Sequence, residues 1–246
     1  MPSLVGNDTK VLRQGDPEPG KLAAGATRIY SMRFCPFAER VLLYAVVKNI
    51  PAEVVNIHLR DKPSWYFYKH PKGQCIIESS IIPEYLDGVC PESSILPSDP
   101  YERAQQRILA EQLGAVTQSV YGLADIIKGA AEGAAREEKL KGMENALDTA
   151  EKLLTNDYYG GSTPGYADWL SFPFFKRIHA ACHGVDPPSI DFTAFPSPSR
   201  WPNLSAWYNR LNAHPAVRAI SPNLQDLVNF QKEYYAGPNP DFDLGL

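Results

Sequence analysis

The chain has 246 residues, 44% of them hydrophobic and 21% charged, with a formal net charge of −4. That composition is ordinary for a globular protein and leaves room for one large or two small domains. No Lys/Arg-rich run marks a nucleic-acid footprint, and no apolar stretch approaches the ~20 residues of a membrane helix.

Residues 1–26 read as a loose N-terminal arm. Asp and Pro are scattered through it and it has no apolar core segment, so it is not expected to be a signal peptide. Thr27 to Met32 alternates apolar and polar residues, the period of a half-buried strand. Phe37, Val41, Tyr44 and Lys48 then recur at helical spacing and predict a helix over 36–49, which Asn49-Ile50-Pro51 closes. Glu53 to His58 alternates again. A strand–helix–strand unit of this length implies a crossover between parallel strands.

Lys62 to Phe67 predicts a short helix that ends at His70-Pro71-Lys72-Gly73. Gln74 to Ile77 reads as a short strand, and Glu78 to Val89 as a helix with Pro83 near its first turns. Residues 91–100 are Pro- and Ser-rich and read as a linker. Everything beyond is predicted helical, over 101–128, 137–154, 168–182 and 201–212, then two shorter helices to about Tyr234. Residues 235–246 form a tail that carries Phe242 and Leu244; terminal apolar residues of this kind are usually frayed. The fold class is therefore α/β plus all-α: a small α/β domain over 27–90 and a helical bundle over 101–234.

Cys35 carries the chemistry. It lies where the first strand hands over to the first helix, and Pro36 suits the first helical turn because its missing N–H would be unpaired there. A thiol at a helix N-terminus faces free amide donors and the positive end of the dipole, which favours the reactive thiolate. The alternative is a small buried hydrophobe, the usual state of a free cysteine. Cys75, Cys90 and Cys182 lack that setting and read as structural thiols. No Cys-x-x-Cys is present, so a second thiol must come from solution, with glutathione the obvious candidate. Four irregularly spaced cysteines suggest a reducing compartment, and a cytoplasmic location is expected.

Reactive cysteine, α/β domain, Ser/Pro linker and helical bundle together resemble the glutathione transferases. Tyr30-Ser31-Met32-Arg33-Phe34-Cys35-Pro36-Phe37-Ala38-Glu39-Arg40 is similar to the catalytic-cysteine signature of the omega class. Asp61-Lys62-Pro63-Ser64-Trp65, Glu78-Ser79-Ser80-Ile81-Ile82-Pro83, Leu96-Pro97-Ser98-Asp99-Pro100-Tyr101 and Phe172-Pro173-Phe174-Phe175-Lys176-Arg177 are similar to later segments of that class. The resemblance implies a thioredoxin-like first domain and a helical second one. It implies that Cys35 forms a mixed disulfide with glutathione. Lys62 would pair with a carboxylate of the tripeptide, and Glu78 and Ser79 would hold its γ-glutamyl end, Ser79 partly by its backbone N–H. Phe37 and Leu59 would line the cleft. Phe172, Phe174 and Arg177 would line a second-substrate pocket for a small electrophile or oxidant. Glutathione is the implied cosubstrate, no metal is implied, and a homodimer is. Each residue also has a plain structural reading: Lys62 as a solvated charge, Glu78-Ser79 as a helix-start pair, and the aromatics near 172–175 as core.

One departure stands out. Between Gly73 and Gln74 the family carries a further strand that begins with Val-Pro. Here about ten residues are absent, the length of a strand and a turn, and no Val-Pro occurs in the chain. The missing strand is central, and its backbone bonds glutathione. Either Gln74 to Ile77 moves inward to pair with the first strand, or the sheet splits at that point. Two lost backbone bonds imply glutathione binding weaker by roughly 5- to 150-fold. A smaller departure is Gly165, where many members carry Ser or Thr as a helix cap; it implies a loss of a few tenths of a kcal/mol. The functional expectation is an omega-type glutathione-dependent thiol transferase and reductase, with dehydroascorbate among the implied substrates. The alternatives are a catalytically impaired binding or dimer-partner member, or a splice form lacking the strand.

Overall fold

A computed structural model describes residues 4–69 and 75–246. The chain forms two compact units. The first comprises Met1–Ser94, Ala219–Pro222 and Asp241–Leu246; the second comprises Ile95–Arg218 and Asn223–Pro240.

The first unit holds a three-stranded parallel sheet. In chain order its elements are β1 (Leu4–Val5), β2 (Thr27–Ser31), α1 (Pro36–Val47), β3 (Ala52–Asn56) and α2 (Ile81–Val89). The strand order is β1-β3-β2, with Leu4 opposite Ala52 and Ile29 opposite Val54. The α1 helix is where its sequence period places it, and its end is set locally. Asn49 takes φ 58°, a left-handed conformation Asn tolerates. The Asn49 N–H then reaches the Val46 carbonyl at 3.0 Å and the Ile50 N–H reaches that of Ala45 at 2.9 Å, the paired bonds of a Schellman cap. Leu43, Tyr44 and Ala45 are fully buried, and α1 packs against β2 and α2.

The arm is not loose. Residues Leu4–Val5 add a strand beside β3, and Gly6 turns the chain with φ 92°, at a point where a Cβ would meet the Val54 carbonyl oxygen at 2.5 Å. Further on, the Leu12 N–H bonds the Asn56 carbonyl at 2.8 Å. Nor is the tail frayed. The Asp243 carboxylate accepts the Val11 N–H at 2.8 Å, Arg33 donates to the Leu244 carbonyl at 2.9 Å, and the buried Phe242 ring lies 3.9 Å from that of His58. Burial of a whole aromatic side chain outweighs the fraying that a terminal position usually brings.

The expected strand over 74–77 does not form: Cys75 to Ile77 has no regular structure, and Gln74 with residues 70–73 lies outside the described residues. The short helix expected over 62–67 forms as a 3-10 helix over Ser64–Tyr68. Among the described residues the sheet stops at β2.

The second unit is helical: α3 (Pro100–Gln112), α4 (Gly114–Ile127), α5 (Gly133–Leu153), α6 (Tyr166–Val185), α7 (Pro202–Asn212) and α9 (Leu224–Ala236), with α8 (Pro215–Ile220) running out of it. The single helix expected over 101–128 is broken at Leu113. At its centre, α6 packs against α3, α4, α7 and α9. Phe172, Phe175 and Ile178 on this helix are fully buried. Asp168 anchors its start. This buried carboxylate accepts the N–H groups of Tyr159 (2.9 Å), Gly160 (2.8 Å) and Gly165 (2.8 Å) and the indole N–H of Trp207 (2.7 Å). Burial pushes its pKa up and the four donors pull against that. Gly165 is required here rather than a poor substitute for Ser or Thr. A Cβ at 165 would lie 2.8 Å from the Gly160 Cα and 3.0 Å from Gln106 Oε1.

Candidate active site

The site in the first unit is built on the β2–α1 junction. Cys35 caps α1 with extended backbone (φ −79°, ψ 119°), and Pro36 begins the helix. The Cys35 N–H bonds the Met32 carbonyl at 2.9 Å and the Cys35 carbonyl accepts the Glu39 N–H at 3.0 Å. The cysteine is half-buried. Cys35 thus stands at the N-terminus of a twelve-residue helix, the end where negative charge is favoured, although its side chain makes no capping hydrogen bond.

A cavity of about 1280 Å³ opens beside α1. Phe37, Glu78 and Ser79, three of the residues expected to hold glutathione, line it. Glu78 is exposed and takes φ 69°, and its carbonyl accepts the N–H groups of Ile81 (2.9 Å) and Ile82 (3.0 Å) at the start of α2. Left-handed backbone in a Glu costs on the order of 1–3 kcal/mol and is found mostly at functional sites. Ser79 is half-buried, and its hydroxyl accepts a bond of 3.2 Å from Arg40 Nη1 on α1. Leu59 and Lys62, the other two expected contacts, follow β3, are half-buried, and do not line this cavity.

Tyr66 was not singled out by sequence reasoning. It lines the same cavity, its ring meets that of Tyr30 edge-on at 5.6 Å, and burial pushes its phenol pKa up. The aromatic run Trp65-Tyr66-Phe67-Tyr68 was the available signal, but nothing in it separates Tyr66 from its neighbours. Of the thiols expected to be structural, Cys182 is buried, whereas Cys75 and Cys90 are half-buried and line the cavity. Burial raises the pKa of Cys75, with Lys69 opposing, and raises that of Cys182, whose Sγ lies 3.8 Å from Met143 Sδ.

The residues expected to line a second-substrate pocket belong to the second unit and are core side chains. Phe172, Phe174 and Arg177 are each no more than 1% exposed. The Phe172 ring packs on Trp207 and Tyr208 at 5.9 and 5.5 Å, and Arg177 Nη1 bonds the Pro173 carbonyl at 3.3 Å. Seventeen of the twenty α6 residues are buried, so their apolar character serves packing. Among the described residues no group of three or more His, Cys, Asp or Glu could hold a metal ion, and no helix is long and apolar enough to cross a membrane.

Comparison with known proteins sets this architecture in a class. Residues 29–94 match the glutathione S-transferase N-terminal domain and residues 133–210 the glutathione S-transferase C-terminal domain. A solved tau-class glutathione S-transferase from mango, Mangifera indica, shares the fold, with a TM-score of 0.73 at 24% identity over 85% of this chain and 99% of its own. A probable glutathione transferase omega-2 of Caenorhabditis briggsae is 46% identical over 258 positions, covering 100% of both chains. A glutathione S-transferase omega-1 of Sus scrofa is 34% identical over 253 positions, covering 99% of this chain and 100% of its own. The chain belongs to the omega-class glutathione transferases, which use glutathione as cosubstrate.

Proposed function

We propose that this transferase works by thiol exchange at Cys35, as a glutathione-dependent thiol transferase and reductase. The observation that carries the reading is Cys35 at the N-cap of α1, half-buried at the positive end of the helix dipole. Glutathione lies with its γ-glutamyl end toward Glu78 and Ser79 and its thiol toward Cys35. Lys62 would pair with a carboxylate of the tripeptide, and Leu59 and Phe37 would flank it.

The exchange has two steps. The Cys35 thiolate attacks the glutathione sulfur of a glutathionylated thiol; the old disulfide breaks, the substrate leaves as thiolate, and Cys35 holds glutathione as a mixed disulfide. A second glutathione thiolate attacks that disulfide, releasing oxidised glutathione and restoring Cys35. With dehydroascorbate the same cycle delivers two electrons from two glutathiones. Conjugation of small electrophiles uses the same subsite. The protein acts in the cytoplasm, as a homodimer.

Turnover of dehydroascorbate and of a glutathionylated peptide by Cys35→Ala tests the reading. Loss of both activities with retained folding is expected; activity equal to the unsubstituted protein would overturn it. A second reading, a binding or dimer-partner member without catalysis, is favoured by the sheet that stops at β2. Titration calorimetry separates them: heat of glutathione binding in the micromolar to low-millimolar range supports the enzyme, and none at about ten millimolar supports the second reading.

A further inference from the structure

β2 is an edge strand with a groove along it. The Ser31 carbonyl accepts the Ile57 N–H at 2.8 Å, so Ser31 turns its peptide group to β3. In a parallel ladder alternate residues turn to opposite sides, so Thr27 and Ile29 face β3 as well. Arg28 and Tyr30 then turn their N–H and C=O groups the other way. Among the described residues no strand pairs with that edge.

The cavity of about 1280 Å³ lies beside this edge and is lined by Thr27, Arg28, Ile29 and Tyr30. Its helical walls are apolar: Val41 and Ala45 on α1, with Ile82, Tyr85, Leu86 and Val89 on α2. Tyr85 and Val89 are 48% and 53% exposed. Small-molecule pockets run to about 300–1,000 Å³, so a tripeptide held near Glu78 and Ser79 leaves the far end open.

We infer that this groove binds an extended peptide segment of another protein by strand addition to β2. Donors and acceptors set at the repeat of a strand are satisfied in series by another backbone. The apolar walls call for an apolar side chain at every second residue of the added strand. A segment matching Thr27–Ser31 spans about 17 Å. This inference does not rest on the thiol chemistry of Cys35.

The test uses the full-length protein and a fluorescein-labelled peptide copying Ala52–Ile57, the segment β2 already accepts on its other side. Anisotropy is expected to show saturable binding tighter than about 100 μM. A control peptide with Pro at its second Val, and the variant Val89→Lys, are each expected to bind about tenfold more weakly. Val89 is exposed, so its replacement leaves the fold intact. Amide exchange at Arg28 and Tyr30 should slow about tenfold on binding. Cys35→Ala should bind the peptide as the unsubstituted protein does. No binding at about 1 mM, equal binding of the proline control, or unchanged exchange at both amides would overturn the inference. So would a dimer in sedimentation that Val89→Lys abolishes, because a second copy would then fill the groove.

Discussion

Lys48 and Asp87 form a buried ion pair, Nζ to Oδ1 2.8 Å, that ties α1 to α2. The lysine side chain is 0% and the aspartate 7% exposed. The pair is fully served: Asp87 also accepts the Tyr44 hydroxyl at 2.8 Å, and Lys48 donates to the carbonyls of Cys90 and Ser93, each at 2.9 Å. The two helices it joins wall the cavity lined by Phe37, Glu78 and Ser79; Cys35, at the start of α1, is not among its lining residues.

Removing one partner strands the other charge. Lys48→Met should therefore lower stability by about 3–5 kcal/mol in urea unfolding. The double variant Lys48→Met with Asp87→Leu should lose less than the two single variants summed, because neither charge is then left alone.

Glu78 holds left-handed backbone at the start of α2. Glycine adopts that conformation without a Cβ clash, so Glu78→Gly should raise the melting stability by about 1 kcal/mol. The same change removes the carboxylate assigned to the γ-glutamyl amine. Calorimetry should show glutathione binding weakened by about tenfold or more. Gain in one assay and loss in the other identifies strain kept for binding.

His179 gives the helical unit a pH dependence. Burial first, then the positive charges of His183 and Lys176, lower its pKa from 6.5 to about 4. Its Nδ1 lies 3.1 Å from the Tyr208 hydroxyl, and its ring stacks on Phe195 at 4.4 Å. The unfolded chain takes up this proton near pH 6.5 and the folded chain near 4. The stabilisation is therefore complete above about pH 6.5 and is lost as pH falls toward 4, roughly 3 kcal/mol in all. Denaturation at a series of pH values should show this slope, and His179→Phe should flatten it.

Phe242 tests the tail. It is fully buried, so Phe242→Ala should cost about 3–5 kcal/mol, the usual loss for a core aromatic. A frayed tail would show no change in the same unfolding curve.

What the sequence made legible was local. The start of α1 at Cys35-Pro36 and its end at Asn49 follow from cap chemistry within a few residues. The apolar period of α6 read through as a mostly buried helix. Features that depend on distant partners were not legible. Two residues at Leu4–Val5 have no period to read, and become a strand only beside Ala52 and Glu53. Phe242 is one of three large apolar residues in the Gly237–Leu246 tail, with nothing to single it out until His58 meets it. The role of Gly165 lies in the close approach of Gly160. The break at Leu113 was hidden because apolar residues recur at helical spacing on both sides of it. At the site, Cys35, Phe37, Glu78 and Ser79 were reached through motif and capping logic, whereas Tyr66 needed the fold to bring it to the cavity that Phe37, Glu78 and Ser79 line.

The clasp between Val11 and Asp243 sets an order of events during synthesis. Domains ordinarily fold as the ribosome releases them, first in sequence first complete. Here the cysteine-bearing unit is translated first but includes Asp241–Leu246, which follow the helical bundle in the chain. It must wait, partly assembled, while the bundle emerges and folds ahead of it, and it closes only after that segment has been made.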